Sequence, residues 1–143
     1  MELTACNKRK RINSIIIYHQ NIRSITNKSD ELRINVQMNY NRPCIICLTE
    51  HHLKGSEIIK FSLGGYKLPS SFCRREFLGG GVCILISNNI IVQSIDLKQF
   101  CHEKTSEICA FKHHLETTKL ITFCIYRAPA GTLNNFMTHW RIS

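Results

Sequence analysis

Three polar clusters in this sequence each close a short apolar run. The clearest is Glu50, which with His51 and His52 ends the stretch Pro43–His52, reading PCIICLTEHH. Asn21 follows the run Ile15–Tyr18 after His19 and Gln20, and Tyr126–Arg127 ends the run that begins at Lys119. In sheets flanked by helices, ligands gather outside the carboxyl ends of strands. A carboxylate placed there has the chemistry to hold a hard cation such as Mg²⁺ or Mn²⁺ through oxygen. The plainer alternative for Glu50 is the first solvated residue after a core strand.

Those side chains need elements to position them. Cys44–Leu48 is a continuous apolar run behind Pro43, too short for an ordinary helix, and reads as a fully buried central strand. Ile15–Tyr18 reads as a second strand. Between them Asn27 reads as a helix N-cap, with Asp30 and Glu31 in the first turn, Leu32, Val36 and Tyr40 at helical spacing and Ile25 as a staple. The segment Asn39–Pro43 ends that helix. The order is therefore β–α–β, and parallel pairing of the two strands would bring Asn21 and Glu50 to one edge.

Further along, Ser56–Phe61 is a short helical candidate and Lys67–Phe72 a strand. Gly79-Gly80-Gly81 lacks the spacing of a nucleotide loop and reads as a flexible connector. Val82–Ser87 and Ile90–Asp96 read as a hairpin joined by Asn88-Asn89. Thr105–Lys112 and Lys119–Tyr126 continue it as an antiparallel meander of four strands. Leu133, Phe136, Met137 and Trp140 then mark an amphipathic helix.

With 143 residues the chain has room for one domain with a core. Its 19 Lys and Arg against 10 Asp and Glu give a formal charge of +9. That excess favours polyanions, nucleic acid above all, through steering and counterion release. No apolar run approaches the roughly 20 residues of a bilayer span, and the N-terminus has no signal-peptide core. A nuclear or cytoplasmic protein with reduced thiols is expected. Cys44 and Cys47 are spaced as CxxC, but on an extended strand their side chains point to opposite faces and cannot share one zinc ion.

Five stretches then fall in a telling order: HQNIRSITNKSDEL, PCIICLTEHHL, LGGYKLPSSFCR, GGGVCILI and FCIYRAPAG. Together they resemble the endonuclease domain of non-LTR (LINE-type) retrotransposons, a branch of the endonuclease/exonuclease/phosphatase superfamily. The resemblance spans about residues 12 to 136. It implies an α/β (α+β) fold, the DNase I-like four-layer α/β/β/α sandwich of two packed sheets with helices outside. It also implies Mg²⁺- or Mn²⁺-dependent hydrolysis of a DNA phosphodiester, with DNA as partner and neither a membrane nor a small-molecule cofactor. By motif position Glu50 would hold the metal, Asn21 would belong to the active-site network and Tyr126 would contact the scissile phosphate. Arg23 and Arg127, by charge and neighbourhood, are added as phosphate contacts.

The family also carries a Gly-Asp-x-Asn segment and a C-terminal Asp-His pair that activate water and assist the leaving group. Neither occurs here. The expectation is a partial domain over residues 12–137, between a basic tail (1–11) and a divergent tail (138–143). Such an N-terminal part would leave inner sheet faces uncovered and be inactive as a nuclease. The alternatives are a non-catalytic basic DNA-binding module, a site completed by a partner or a longer product, a phosphatase of the same superfamily, or a non-functional fragment.

Overall fold

The run behind Pro43 becomes strand β2 (Ile45–Thr49), and all five of its residues are buried. It owes this to its neighbours, as seen in the computed structural model, which describes residues 14–115 and 117–139. On one side β2 pairs in parallel with β1 (Ile17–Asn21), setting Asn21 opposite Thr49. On the other it pairs antiparallel with β4 (Val82–Ser87), which pairs with β3 (Tyr66–Phe72). The first sheet thus has the order β1-β2-β4-β3. β1 and β3 are its edges. Pro69 lies in β3, where the register shifts between Lys67 and Ser70 and a missing N–H costs least.

The parallel β1–β2 pair requires a crossover, which is helix α1 (Ile25–Gln37). It starts two residues before Asn27, the expected cap. Ser24 N–H and Ile25 N–H donate to the carbonyls of Glu50 and His51, 2.9 and 3.1 Å away, so the mouth of β2 itself satisfies donors at the helix start. Lys28 departs from helical geometry and kinks the helix just after Asn27. Leu32 and Val36 are buried as expected, but the helix ends at Gln37 and Tyr40 is fully exposed. Helix α2 is a single turn, Gly55–Ile58.

β4 already has a neighbour on each side, so it has no free edge for a hairpin partner. The Asn88-Asn89 turn therefore sends the chain to a second sheet, correcting the expected four-strand meander. There β5 (Val92–Ile95), β6 (Ser106–Leu115) and β7 (Thr118–Arg127) form an antiparallel sheet in that order. A 3₁₀ turn (Lys98–Phe100) links β5 to β6, and α3 (Leu133–His139) follows β7. Trp140 and the basic tail lie outside the described residues.

The fold is mixed α/β and rich in strand. Two apolar cores hold it. Ile22, Ile25, Leu32, Val36, Ile46, Leu48 and Leu85 join the helices to one face of the first sheet. Ile45, Cys47, Ile84, Ile86, Cys109, Phe111 and Cys124 join its other face to the second sheet. The inner faces therefore cover each other, contrary to the expectation that they would lie open. Each fully buried Ile, Leu or Phe contributes about 1.5–3 kcal/mol. Exposed apolar residues sit instead on the outer face of β7: Ile121, Phe123 and Ile125. All seven described cysteines are free thiols, and among the described residues no helix is long and apolar enough to cross a membrane.

Candidate functional site at the strand mouths

Parallel pairing of β1 and β2 puts their carboxyl ends side by side, and stacking of the second sheet brings the end of β7 over them. The Tyr126 hydroxyl donates to Glu50 Oε1 across 76 residues of sequence, and the Asn21 side chain hydrogen-bonds the same carboxylate. Arg23 Nε lies 4.0 Å from Glu50 Oε2 and His52 Nε2 lies 3.9 Å from it. Three of the expected residues, Asn21, Glu50 and Tyr126, thus meet in one cluster, with Arg23 at its rim. Arg127 does not join them. It points to the opposite face of β7, where its guanidinium donates to the Gly131 carbonyl at 3.0 Å.

The backbone here is unusual. Arg23, Ser24, Glu50 and His52 all adopt positive φ, at 47°, 84°, 55° and 62°. Non-glycine residues rarely do so, and each such residue costs on the order of 1–3 kcal/mol unless its surroundings enforce it. Of the five described non-glycine residues with positive φ, only Lys104 lies elsewhere. Strain gathered at two adjacent strand ends marks a place where geometry has been kept at the expense of stability.

Charge is arranged to suit an anionic carboxylate. Burial pushes the Glu50 carboxyl up, but hydrogen bonds from Tyr126 and Asn21 and the charges of Arg23 and His52 outweigh it. The net effect holds Glu50 below its ordinary range. The Tyr126 phenol shifts the other way, raised first by burial and then by its bond to the carboxylate. It stays protonated and donates.

His51, next to Glu50, has a different fate. It is fully buried, its Nδ1 accepts from Leu53 N–H at 2.9 Å and its Nε2 donates to the Phe72 carbonyl at 3.0 Å. Burial pulls its pKa down to about 4, so it is a neutral structural imidazole. His52 stays at the rim.

Three features at this end escape a reading by motif. Gly79-Gly80-Gly81 is no loose connector: all three have positive φ, and a Cβ on Gly81 would lie 2.5 Å from the His51 ring. Gly80 and Gly81 offer carbonyls to His52 N–H and His51 N–H at 2.9 and 3.4 Å. Arg74 and Glu107 form a buried ion pair between the sheets, 8% and 0% exposed. Glu107 was visible in the sequence as a charge at a core-facing position, two residues before Cys109 and four before Phe111.

Glu50 is the carboxylate of this cluster, and among the described residues no group of three or more His, Cys, Asp and Glu side chains is gathered to hold a metal. One carboxylate and one amide suit Mg²⁺, which keeps several waters and takes the rest of its shell from substrate phosphates. No family model matches the sequence, and no curated protein matches it.

Proposed function

We propose that this chain carries the metal- and phosphate-binding half of a DNA phosphodiesterase site, of the kind found in DNase I-like endonucleases of LINE-type retrotransposons. The observation that carries the reading is the convergence of Asn21, Glu50 and Tyr126 from three strand ends onto one carboxylate. In support stand the five ordered sequence stretches, the two packed sheets with α1 and α2 outside the first, and the charge of +9. On this reading the four-layer sandwich is present in part, and the apolar outer face of β7 marks where its further layer would pack.

Glu50, with the Asn21 amide beside it, would hold Mg²⁺ or Mn²⁺, which would supply charge neutralisation at the phosphate oxygens. The chain's own groups do the rest. Tyr126 keeps its proton and presents a hydroxyl to the anion, and Arg23, three-quarters exposed, supplies a cation at the entrance. Arg127, turned to the opposite face of β7 and bonded to the Gly131 carbonyl, has no part in this group.

Water activation is the weak part. Both Glu107 oxygens and both His51 nitrogens are already occupied, which leaves His52 as the imidazole at the rim. A site lacking the rest of its catalytic unit runs slower by several powers of ten. The protein is therefore expected to bind DNA phosphates in a metal-dependent way and to cleave at most feebly.

Supercoiled-plasmid nicking with Mg²⁺, beside EDTA and Glu50→Ala controls, tests this. No nicking above the variant is expected. Robust nicking that Glu50→Ala abolishes would show a complete site and overturn the expectation of inactivity. The second reading, a basic DNA-binding module without metal, draws on the net charge alone and requires binding that ignores both metal and Glu50.

A further inference from the structure

Among the described residues the carboxylate of Glu107 is the least exposed charge, and it makes two distinct bonds. Its Oε1 accepts from Arg74 Nε, and its Oε2 accepts from Gly81 N–H at 2.6 Å. Glu107 also stands directly opposite Tyr126 in the β6–β7 ladder. Arg74 closes the arrangement from the other side, donating to the Leu78 carbonyl at 3.2 Å and lying where a Cβ on Gly80 would be, 2.1 Å from its Nε.

These contacts reach the site by a short route. Gly80 and Gly81, fixed by Arg74 and Glu107, accept the N–H groups of His52 and His51. Those two residues follow Glu50 directly, and Glu50 and His52 are the ones held at positive φ. A backbone that would otherwise relax out of the left-handed region is thus tied down on its β4 side by the triglycine segment. On its β1 side the Glu50 and His51 carbonyls receive Ser24 N–H and Ile25 N–H. The β1 side is ordinary strand-to-helix pairing. The β4 side depends on one buried ion pair.

We propose that Arg74 and Glu107 are positioning residues of the strand-mouth site: through Gly80 and Gly81 they hold the Glu50 loop, and through the β6–β7 ladder they register Tyr126 against it. Neither touches substrate. The functional meaning rests on the phosphodiesterase reading above, while the positional claim rests on geometry alone and is testable without it.

The informative variant removes both charges, Arg74→Met with Glu107→Leu. Replacing a buried pair by apolar side chains is often neutral for stability, whereas removing one partner strands the other charge. The pair carries no net charge, so its loss has little direct electrostatic effect on Glu50. Three readouts are taken: urea unfolding, amide hydrogen exchange of His51 and His52, whose N–H groups bond the Gly81 and Gly80 carbonyls, and Mn²⁺ affinity by paramagnetic titration. The expected result is retained cooperative unfolding, amide exchange at His51 and His52 faster by about tenfold or more, and Mn²⁺ binding weaker by about tenfold or more. Restoring Glu107 and Arg74 restores both.

A folded double variant whose His51 and His52 amide exchange and Mn²⁺ affinity match the wild type overturns the proposal. Should the double variant fail to fold, Glu107→Asp takes its place, keeping the charge but shortening its reach by a methylene, and is read by the same two outcomes. The two ideas fail separately. A wild type that binds no Mn²⁺ refutes the phosphodiesterase reading, and unmoved amide exchange at His51 and His52 refutes the positioning role.

Discussion

Glu50 and Glu107 flank the same tyrosine, one on each sheet, and have opposite surroundings. Glu107 is sealed between the sheets, with Arg74 on one oxygen and a backbone N–H on the other. Glu50 lies at an open strand mouth, one oxygen on Tyr126 and the other facing Arg23 and His52 from about 4 Å. A carboxylate with committed partners does structural work, because removing any partner leaves an unpaired charge in a low-dielectric interior. A carboxylate with loose cationic neighbours can trade them for a metal ion or surrender them to a phosphate. The pair therefore separates, within about one side-chain length of Tyr126, what holds the site from what the site offers.

The contrast is sharpest in stability. Glu107→Ala strands the Arg74 guanidinium and is expected to cost about 3–5 kcal/mol. Glu50→Ala is expected to cost only about 1–2 kcal/mol, since it loses the hydrogen bonds from Tyr126 and Asn21 at a solvent-facing mouth and leaves the left-handed backbone as strained as before, alanine carrying the same Cβ. Urea unfolding of both variants measures the difference. Similar losses would erase the distinction.

A second test uses His51, which packs on the same triglycine segment. Its pKa in the fold, about 4, lies below the ordinary value of 6.5. The neutral form is favoured by folding, so its stabilisation is complete above pH 6.5 and declines as pH falls toward 4. The decline should reach about 3 kcal/mol. His51→Gln is expected to flatten the stability–pH profile in that window. Glu50 acts lower down. Its folded pKa is below the ordinary 4.5, so its contribution is present above that value and is lost as pH falls through the folded pKa.

DNA binding gives a third. Arg23→Ala should weaken binding to any duplex and lower the salt slope by about one, as expected for one phosphate contact. Arg127→Ala should do less, because its guanidinium is engaged with Gly131 on the other face of β7. Fluorescence anisotropy over a salt series measures both. The smallest effect is expected of Tyr126→Phe: a stability change of about 1 kcal/mol or less, with the Glu50 carboxyl pKa moving up as its donor disappears.

Much of this was legible in the sequence where local chemistry and tertiary placement agree. The run at Cys44–Leu48 is apolar throughout because it is central, and the β–α–β start follows from its length and flanks. Asn21 and Glu50 could be placed together because parallel strands share their carboxyl edge. What failed was pairing that depends on vacancies. Asn88-Asn89 suits a hairpin, yet β4 had no free edge, so the turn became a crossing between sheets. Asn27 suits a cap, yet the carbonyls of Glu50 and His51 had already taken up donors at the helix start. The triglycine looked loose because two of its partners, His51 and Glu107, are distant in sequence, and Arg74, six residues before Gly80, is fixed there by Glu107.

The most direct test of the central claim is a DNA-binding titration with and without Mg²⁺, comparing the wild type with Glu50→Ala at fixed ionic strength. Affinity is expected to rise with Mg²⁺ in the wild type and not in the variant, while binding without metal is the same in both. An equal response to Mg²⁺ in the two proteins, or none in either, would contradict the assignment of Glu50 as the metal-holding carboxylate of a phosphate site.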